Sequence, residues 1–217
     1  SQMIIQGQII NKSNMYQLPS FNEKLVQRAK EEYGVEDIAS FLEMEDKERN
    51  SLLVGLSQNE IEKIAKVCNK FPIYEVLYRV SAVNGEEKNT HFISSNVNEE
   101  EEIGNNSELL TVMKGDTVHL EVKLLRDSGE SSEKDLALVH SNSYPFSKEE
   151  VWWIIIGDRQ SNKLLAIKKF KFTKEKKLEL KVNTLEQGRF KWSIIVASDS
   201  WIGCDFEDEN FAVQIVS

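Results

Sequence analysis

Chemistry in this chain would have to come from three histidines, two cysteines and an excess of carboxylates. A structural zinc needs four N or S ligands at close spacing, but there is no CxxC pair, and His91, His119 and His140 stand far apart. Cys68 and Cys204 make no disulfide framework and suggest a reducing compartment, cytosol or nucleus. No GxxxxGK[ST] phosphate loop, no magnesium-holding Asp-Glu-x-His string and no GxSxG elbow occurs, which excludes ATP hydrolysis by that route and a hydroxyl nucleophile of that type. The carboxylates fall mostly on predicted helix surfaces and loops, where solvation is the plainer role than acid–base work. Strand alternation puts His119 on the solvent side, and the other two histidines sit in loops. Asp199, Gly203, Cys204 and Asp205 surround a tight bend near Trp201; acids on both sides raise a thiol's pKa, so the bend reads as a structural turn.

Binding features are sharper. Trp152 and Trp153 are adjacent on a predicted strand, so they point to opposite faces, one into the core and one outward. An outward tryptophan can anchor a protein partner, or a loop can cover it. Trp152, Trp153 and Trp201 are therefore the protein-binding candidates. Lys163, Lys168, Lys169, Lys171, Lys174, Lys176 and Lys177 crowd one hairpin and the next strand. Lys168, Lys169, Lys171 and Lys174 are the candidates for touching RNA phosphate, against the plainer reading that they decorate an exposed sheet edge. The Glu99–Glu102 run lacks the alternating Asp/Asn and glycine of a calcium loop and reads as solvated.

Thirty-six acidic against 27 basic residues leave a net charge of −9, which disfavours nucleic-acid binding driven by the whole fragment and points to protein partners. The 217 residues, 40% hydrophobic and 29% charged, suit one or two domains with a buried core. No run approaches the ~20 apolar residues that span a bilayer, and no secretion signal is visible at the N-terminus.

The elements that would carry these residues change character once along the chain. Residues 1–17 read as the last turns of a truncated helical bundle. From Leu18 to Pro72 the period is helical. Ser20 with Glu23 and Ser57 with Glu60 are capping boxes, Asp46 can cap a third helix, and a short helix is expected over Glu36–Leu42. Gly34 supplies a left-handed stop, Leu52 and Leu53 face inward, Ile61, Ile64, Ala65 and Cys68 form a stripe, and Pro72 ends it. Four short helices thus make a helix–loop–helix domain over 18–72. Beyond Pro72 the period becomes two, as in Tyr74, Val76, Tyr78 and Val80. Strands are expected near 74–80, 118–124, 151–157, 164–172, 178–182, 190–196 and 211–215. Seven strands without a helix between them predict an antiparallel β-sandwich of immunoglobulin or fibronectin-III type over 73–217, an α+β chain overall. Asn84–Asp116 and Asp127–Glu150 read as long loops.

Several strings, in order, carry a resemblance: Gln2–Gly7, Gln17–Phe21, Met44–Asn50, Cys68–Pro72, Trp152–Asp158 with Asn162, and Ser198–Asp205. With them the chain resembles the Sec-sixty-three-like unit that ends each helicase cassette of the Ski-type spliceosomal helicases of the U5 snRNP, the "bad response to refrigeration" family. The Gly203-Cys204-Asp205 ending resembles the second, C-terminal cassette more than the first. The resemblance covers essentially the whole chain. It implies a nuclear parent that uses ATP and Mg to unwind paired U4 and U6 snRNAs in pre-mRNA splicing, and a catalytically degenerate second cassette that serves as a platform. The fragment itself is then expected to be non-catalytic and to hold no cofactor. Its expected partners are other spliceosomal proteins and the preceding helicase domains, with weak RNA contact and no membrane. The two long loops and the acidic stretch Asp205–Glu209 depart from the family pattern. An RNA-contacting accessory of the same or a sister helicase is the alternative, and the related unit of an endoplasmic-reticulum translocation protein is a third reading.

Overall fold

A computed structural model describes residues 1–9, 12–84, 87–94, 109–127, 129 and 131–217. The Glu99–Glu102 run lies outside the described residues, as does the side chain of His91. The chain forms two compact units: residues 1–73 with 127–150 and 198–204, and residues 74–126 with 151–197 and 205–217. Two segments that the sequence places in the sandwich, 127–150 and 198–204, therefore fold among the helices.

The first unit holds α1 (Gln2–Gln6), a 3-10 turn (Asn14–Gln17), α2 (Glu23–Tyr33), α3 (Ile38–Glu43), α4 (Asp46–Leu52), α5 (Gln58–Cys68) and α6 (Glu133–Leu136). The capping box Ser57–Glu60 forms as expected, and Gly34 closes α2 at φ 68°. The Ser20–Glu23 box does not form. Ser20 takes a left-handed φ of 61° and its hydroxyl donates to Glu60 Oε1 (3.2 Å), so Asn22 caps α2 instead, accepting from the Leu25 N–H at 3.0 Å. Glu45, not Asp46, is the N-cap of α4, and α3 starts later than expected, at a box of Asp37 and Ser40. On α5 the buried residues are Ile64 and Val67, whereas Ala65 faces out. The inward stripe runs through i+3 rather than i+4 at that point. Met15, Leu18, Ile38, Phe41, Leu52 and Ile64 form the core of this unit, with Phe21 edge-on to Phe41 at 5.4 Å.

The second unit is two sheets. One has the order β2 (Glu87–Ser94), β1 (Ile73–Asn84), β4 (Thr117–Asp127), β7 (Glu175–Asn183). The other has the order β3 (Leu110–Met113), β9 (Phe206–Val216), β8 (Gly188–Ser198), β5 (Trp152–Asp158), β6 (Lys163–Phe170). All seven expected strands are present, and α+β is the class. β2 and β3 add two more inside the segment read as a loop. Moreover, β3 runs parallel to β9, pairing Leu110 with Val213, so the second sheet is mixed rather than purely antiparallel. Alternation along β4, β5 and β7 buries every second residue, and the faces meet through Tyr74, Trp152 and Phe172, whose rings pack edge to face at 5.1–5.9 Å. The Tyr78 hydroxyl on β1 donates to Asp208 Oδ2 on β9 (2.5 Å), and burial followed by this carboxylate pushes its pKa upward.

Candidate interaction surfaces

Most of the residues that carry the family resemblance are consumed in holding the first unit together. Segment 198–204 threads past the amides of three glutamines. Gln2 Nε2 donates to Ser198 O (2.9 Å), and Gln6 Nε2 donates to Ser200 O (2.9 Å) and His140 O (3.1 Å). Gln17 donates to Ile202 O and accepts from Ile202 N–H, both at 2.9 Å. Such pairing satisfies the backbone of a non-helical segment that has no strand beside it. Trp201 is fully buried, its indole N–H donating to Glu150 Oε2 (2.7 Å) and its ring edge-on to Phe71 at 5.7 Å. Lys148 Nζ reaches Asp199 Oδ2 (2.7 Å), and the Ser200 hydroxyl donates to the same carboxylate. Gly203 has φ +86°, and a Cβ there would lie 2.0 Å from Asn14 Nδ2. Only glycine fits this turn without displacing Asn14, whose Oδ1 accepts the Ile38 N–H at 2.9 Å.

Arg49, in the Met44–Asn50 string, has an equally internal part. Its guanidinium donates to Leu42 O (2.9 Å) and Met44 O (2.6 Å), reaches Asp46 (3.2 Å) and lies 5.8 Å from the Phe41 ring centroid, tying the end of α3 to the start of α4. Asp158 accepts from Gln160 N–H (2.9 Å), Ser161 N–H (3.3 Å) and the Ser161 hydroxyl (2.6 Å), which pulls its carboxyl below the ordinary range and shapes the β5–β6 turn. His119 Nδ1 meets Glu179 Oε1 at 2.9 Å. Burial pushes the Cys68 thiol up to about 12 and lowers the pKa of His140. Among the described residues no three His, Cys, Asp or Glu gather as a metal site, and no helix is long and apolar enough to cross a membrane.

The tryptophan candidates separate. Trp152 and Trp201 are 0% exposed and serve as core, so neither offers an indole to a partner. Trp153 stands half-buried on the outer face of β5, opposite Lys169 of β6 in register, with Lys169 Nζ 5.2 Å from its ring centroid. A protein-binding candidate and an RNA-contact candidate thus share one surface. Lys168, in register with the buried Ile154, points to the other side of β6; it and Lys171 are exposed, and Lys174 is half-buried in the turn to β7. Ile167 (48% exposed) and Leu164 (61%) complete the Trp153 face. Both were passed over in the sequence, although β6 alternates poorly enough to signal exposure on both sides.

A second surface is made of residues that were not singled out in the sequence. Lys63 and Lys66 of α5 and Lys70, two residues past its end, line a cleft of about 750 Å³ in the first unit with His140, Asn142 and Asp135. The i, i+3 spacing of Lys63 and Lys66 was a readable sign that these two share one helix face.

Two compact units with no clustered reactive groups among the described residues fit a known domain class: the chain belongs to the family described as the Sec63 Brl domain, matched over residues 1–209. It is 33% identical, over 99% of its length, to the DExH-box ATP-dependent RNA helicase DExH12 of Arabidopsis thaliana. It is 28% identical over 99% to the U5 small nuclear ribonucleoprotein 200 kDa helicase of Homo sapiens, and 26% identical over 96% to the pre-mRNA-splicing factor brr2 of Schizosaccharomyces pombe. The chain spans 8–9% of the length of these relatives.

Proposed function

We propose that this chain is a non-catalytic, C-terminal docking platform of a nuclear spliceosomal RNA helicase, the U4/U6 unwinding activity belonging to the rest of the parent. The observation that carries this reading is the saturation of the reactive-looking groups in and beside the family strings. Asp199 is held by Lys148 and Ser200, Glu150 by Trp201, and Asp158 by its own turn. Groups fixed this way position backbone and leave surfaces, rather than side chains, to act. Names of relatives that point to the U5 particle and to pre-mRNA splicing support spliceosomal proteins as partners. ATP and Mg would be bound elsewhere in the parent. The test is twofold: the purified chain should show no ATP turnover, and immobilised on beads it should retain splicing proteins from nuclear extract as read by mass spectrometry. Turnover by the pure fragment ends the reading.

The α5 cleft favours a second reading, contact with RNA phosphate through Lys63, Lys66 and Lys70. Gel shifts with single-stranded RNA at two salt concentrations separate the two, because phosphate-driven affinity falls steeply with salt and a protein platform gives no shift at either.

A further inference from the structure

We infer that the open edge of β6 accepts an extended acidic segment of a partner protein as a sixth strand, with Trp153 and Ile167 as the apolar floor beside it. This rests on the docking reading above and names the surface and the chemistry of its occupant. Among the described residues β6 ends the five-stranded sheet, with β5 as its only strand neighbour in the sheet order. It runs eight residues, Lys163–Phe170, without a proline. The register with β5 is regular from Phe170 to Ala166, the one shift falling at Ile156/Gly157 near the turn. An edge of this kind leaves alternate backbone N–H and C=O groups free to pair with another chain. The opposite edge strand, β3, is four residues long with Leu110 and Val112 buried, and offers little by comparison.

Charge decides the occupant. The chain as a whole carries −9, yet Lys168, Lys169 and Lys171 lie exposed along this edge and the loop after it. Among the described residues Lys168 and Lys174 have no carboxylate partner, and Lys169 rests on Trp153 instead. A second copy of the chain is disfavoured twice, by net charge and by the lysines that β6–β6 pairing would set side by side. Lys168 and Lys169 point to opposite faces of β6, so a strand with carboxylates at alternate positions meets one of them on whichever face it presents, and the lysines that block self-pairing select an anionic partner. RNA would share the charge preference, but it needs open aromatic faces for its bases, and Lys169 occupies the Trp153 ring.

The probe is a fluorescent ten-residue peptide of alternating glutamate and valine, titrated into the full 217-residue chain by anisotropy. The expected result is binding that slows hydrogen exchange at amides of 163–170. Lys168→Glu/Lys169→Glu should weaken it at least ~10-fold, about 1.4 kcal/mol. A lysine–valine peptide should not bind, and N-methylation of alternate peptide residues should remove binding. Far-UV circular dichroism of the double variant confirms an intact fold. Three results would overturn the inference: unchanged peptide affinity in the double variant, protection only outside 163–170, or displacement of the peptide by a single-stranded RNA that binds tighter through the same lysines. If the double variant captures nuclear proteins as well as the parent chain does, the edge is the wrong surface and the platform stands. If the unaltered chain captures none, the platform reading itself fails.

Discussion

Replacing Trp201 by Phe would measure how much of the first unit's stability resides in one buried hydrogen bond. The indole N–H donates to Glu150 Oε2 at 2.7 Å, with Trp201 0% and Glu150 2% exposed. A hydrogen bond to a charged acceptor contributes about 1.5–3 kcal/mol net. Phenyl in place of indole also leaves roughly 40 Å³ unfilled, which at ~24 cal/mol per Å³ adds about 1 kcal/mol. The expected loss is therefore about 2.5–4 kcal/mol. Urea unfolding followed by far-UV circular dichroism reads it without relying on the tryptophan signal, provided the m-value is unchanged. Glu150→Gln keeps an acceptor but not the charge, so Trp201→Phe in that background should cost about 1 kcal/mol less. Trp153→Phe, on the half-buried outer face, should cost under about 1 kcal/mol and serves as the control. A Trp201→Phe loss below about 1 kcal/mol, or no coupling to Glu150→Gln, would refute the assignment of this bond as a principal tie.

Three further outcomes follow from the same geometry. Gln17→Leu strands the part-buried N–H and C=O of Ile202, so it should destabilise by about 1–3 kcal/mol and open 198–204 to limited proteolysis before the rest of the chain. The Cys68 thiol, pushed up to about 12 by burial, should react with iodoacetamide at pH 8 at least ~100-fold more slowly than free cysteine, as read by mass spectrometry of the alkylated peptide. Asp158 has a depressed folded pKa, chiefly from the Ser161 hydroxyl. The stability it contributes is present above the unfolded carboxylate range and is lost as pH falls through the lower folded value; carboxyl carbon shifts should titrate below those of exposed aspartates, and Ser161→Ala should raise that midpoint.

Helix and strand types were readable because each is written in local periodicity and caps. Ser57 with Glu60 marked the start of α5, and the alternation in Val118–Leu124 marked β4, since both signals act within a few residues. Ser20 misled because its hydroxyl found Glu60, forty residues away, and no local rule foresees that. β2 was invisible for a related reason. As an edge strand it needs no clean apolar face, and Glu87–Ser94 has none. β3 depends on pairing with β9 about a hundred residues on. On the site side, adjacency alone placed Trp152 and Trp153 on opposite faces, but their neighbours were decided elsewhere. Trp153 meets Lys169 through strand register, and Trp201 is buried through a partner fifty-one residues away.

The sequence by itself determined the α+β class, the change of period after Pro72 and the family strings, because propensity, capping and alternation are properties of neighbouring residues. Only the tertiary structure decided that 127–150 and 198–204 join the helical unit, that two of the three candidate tryptophans are core, and that β6 is left as an edge. Those outcomes are set by burial and hydrogen bonds between residues distant in the chain, and such contacts leave no period to read.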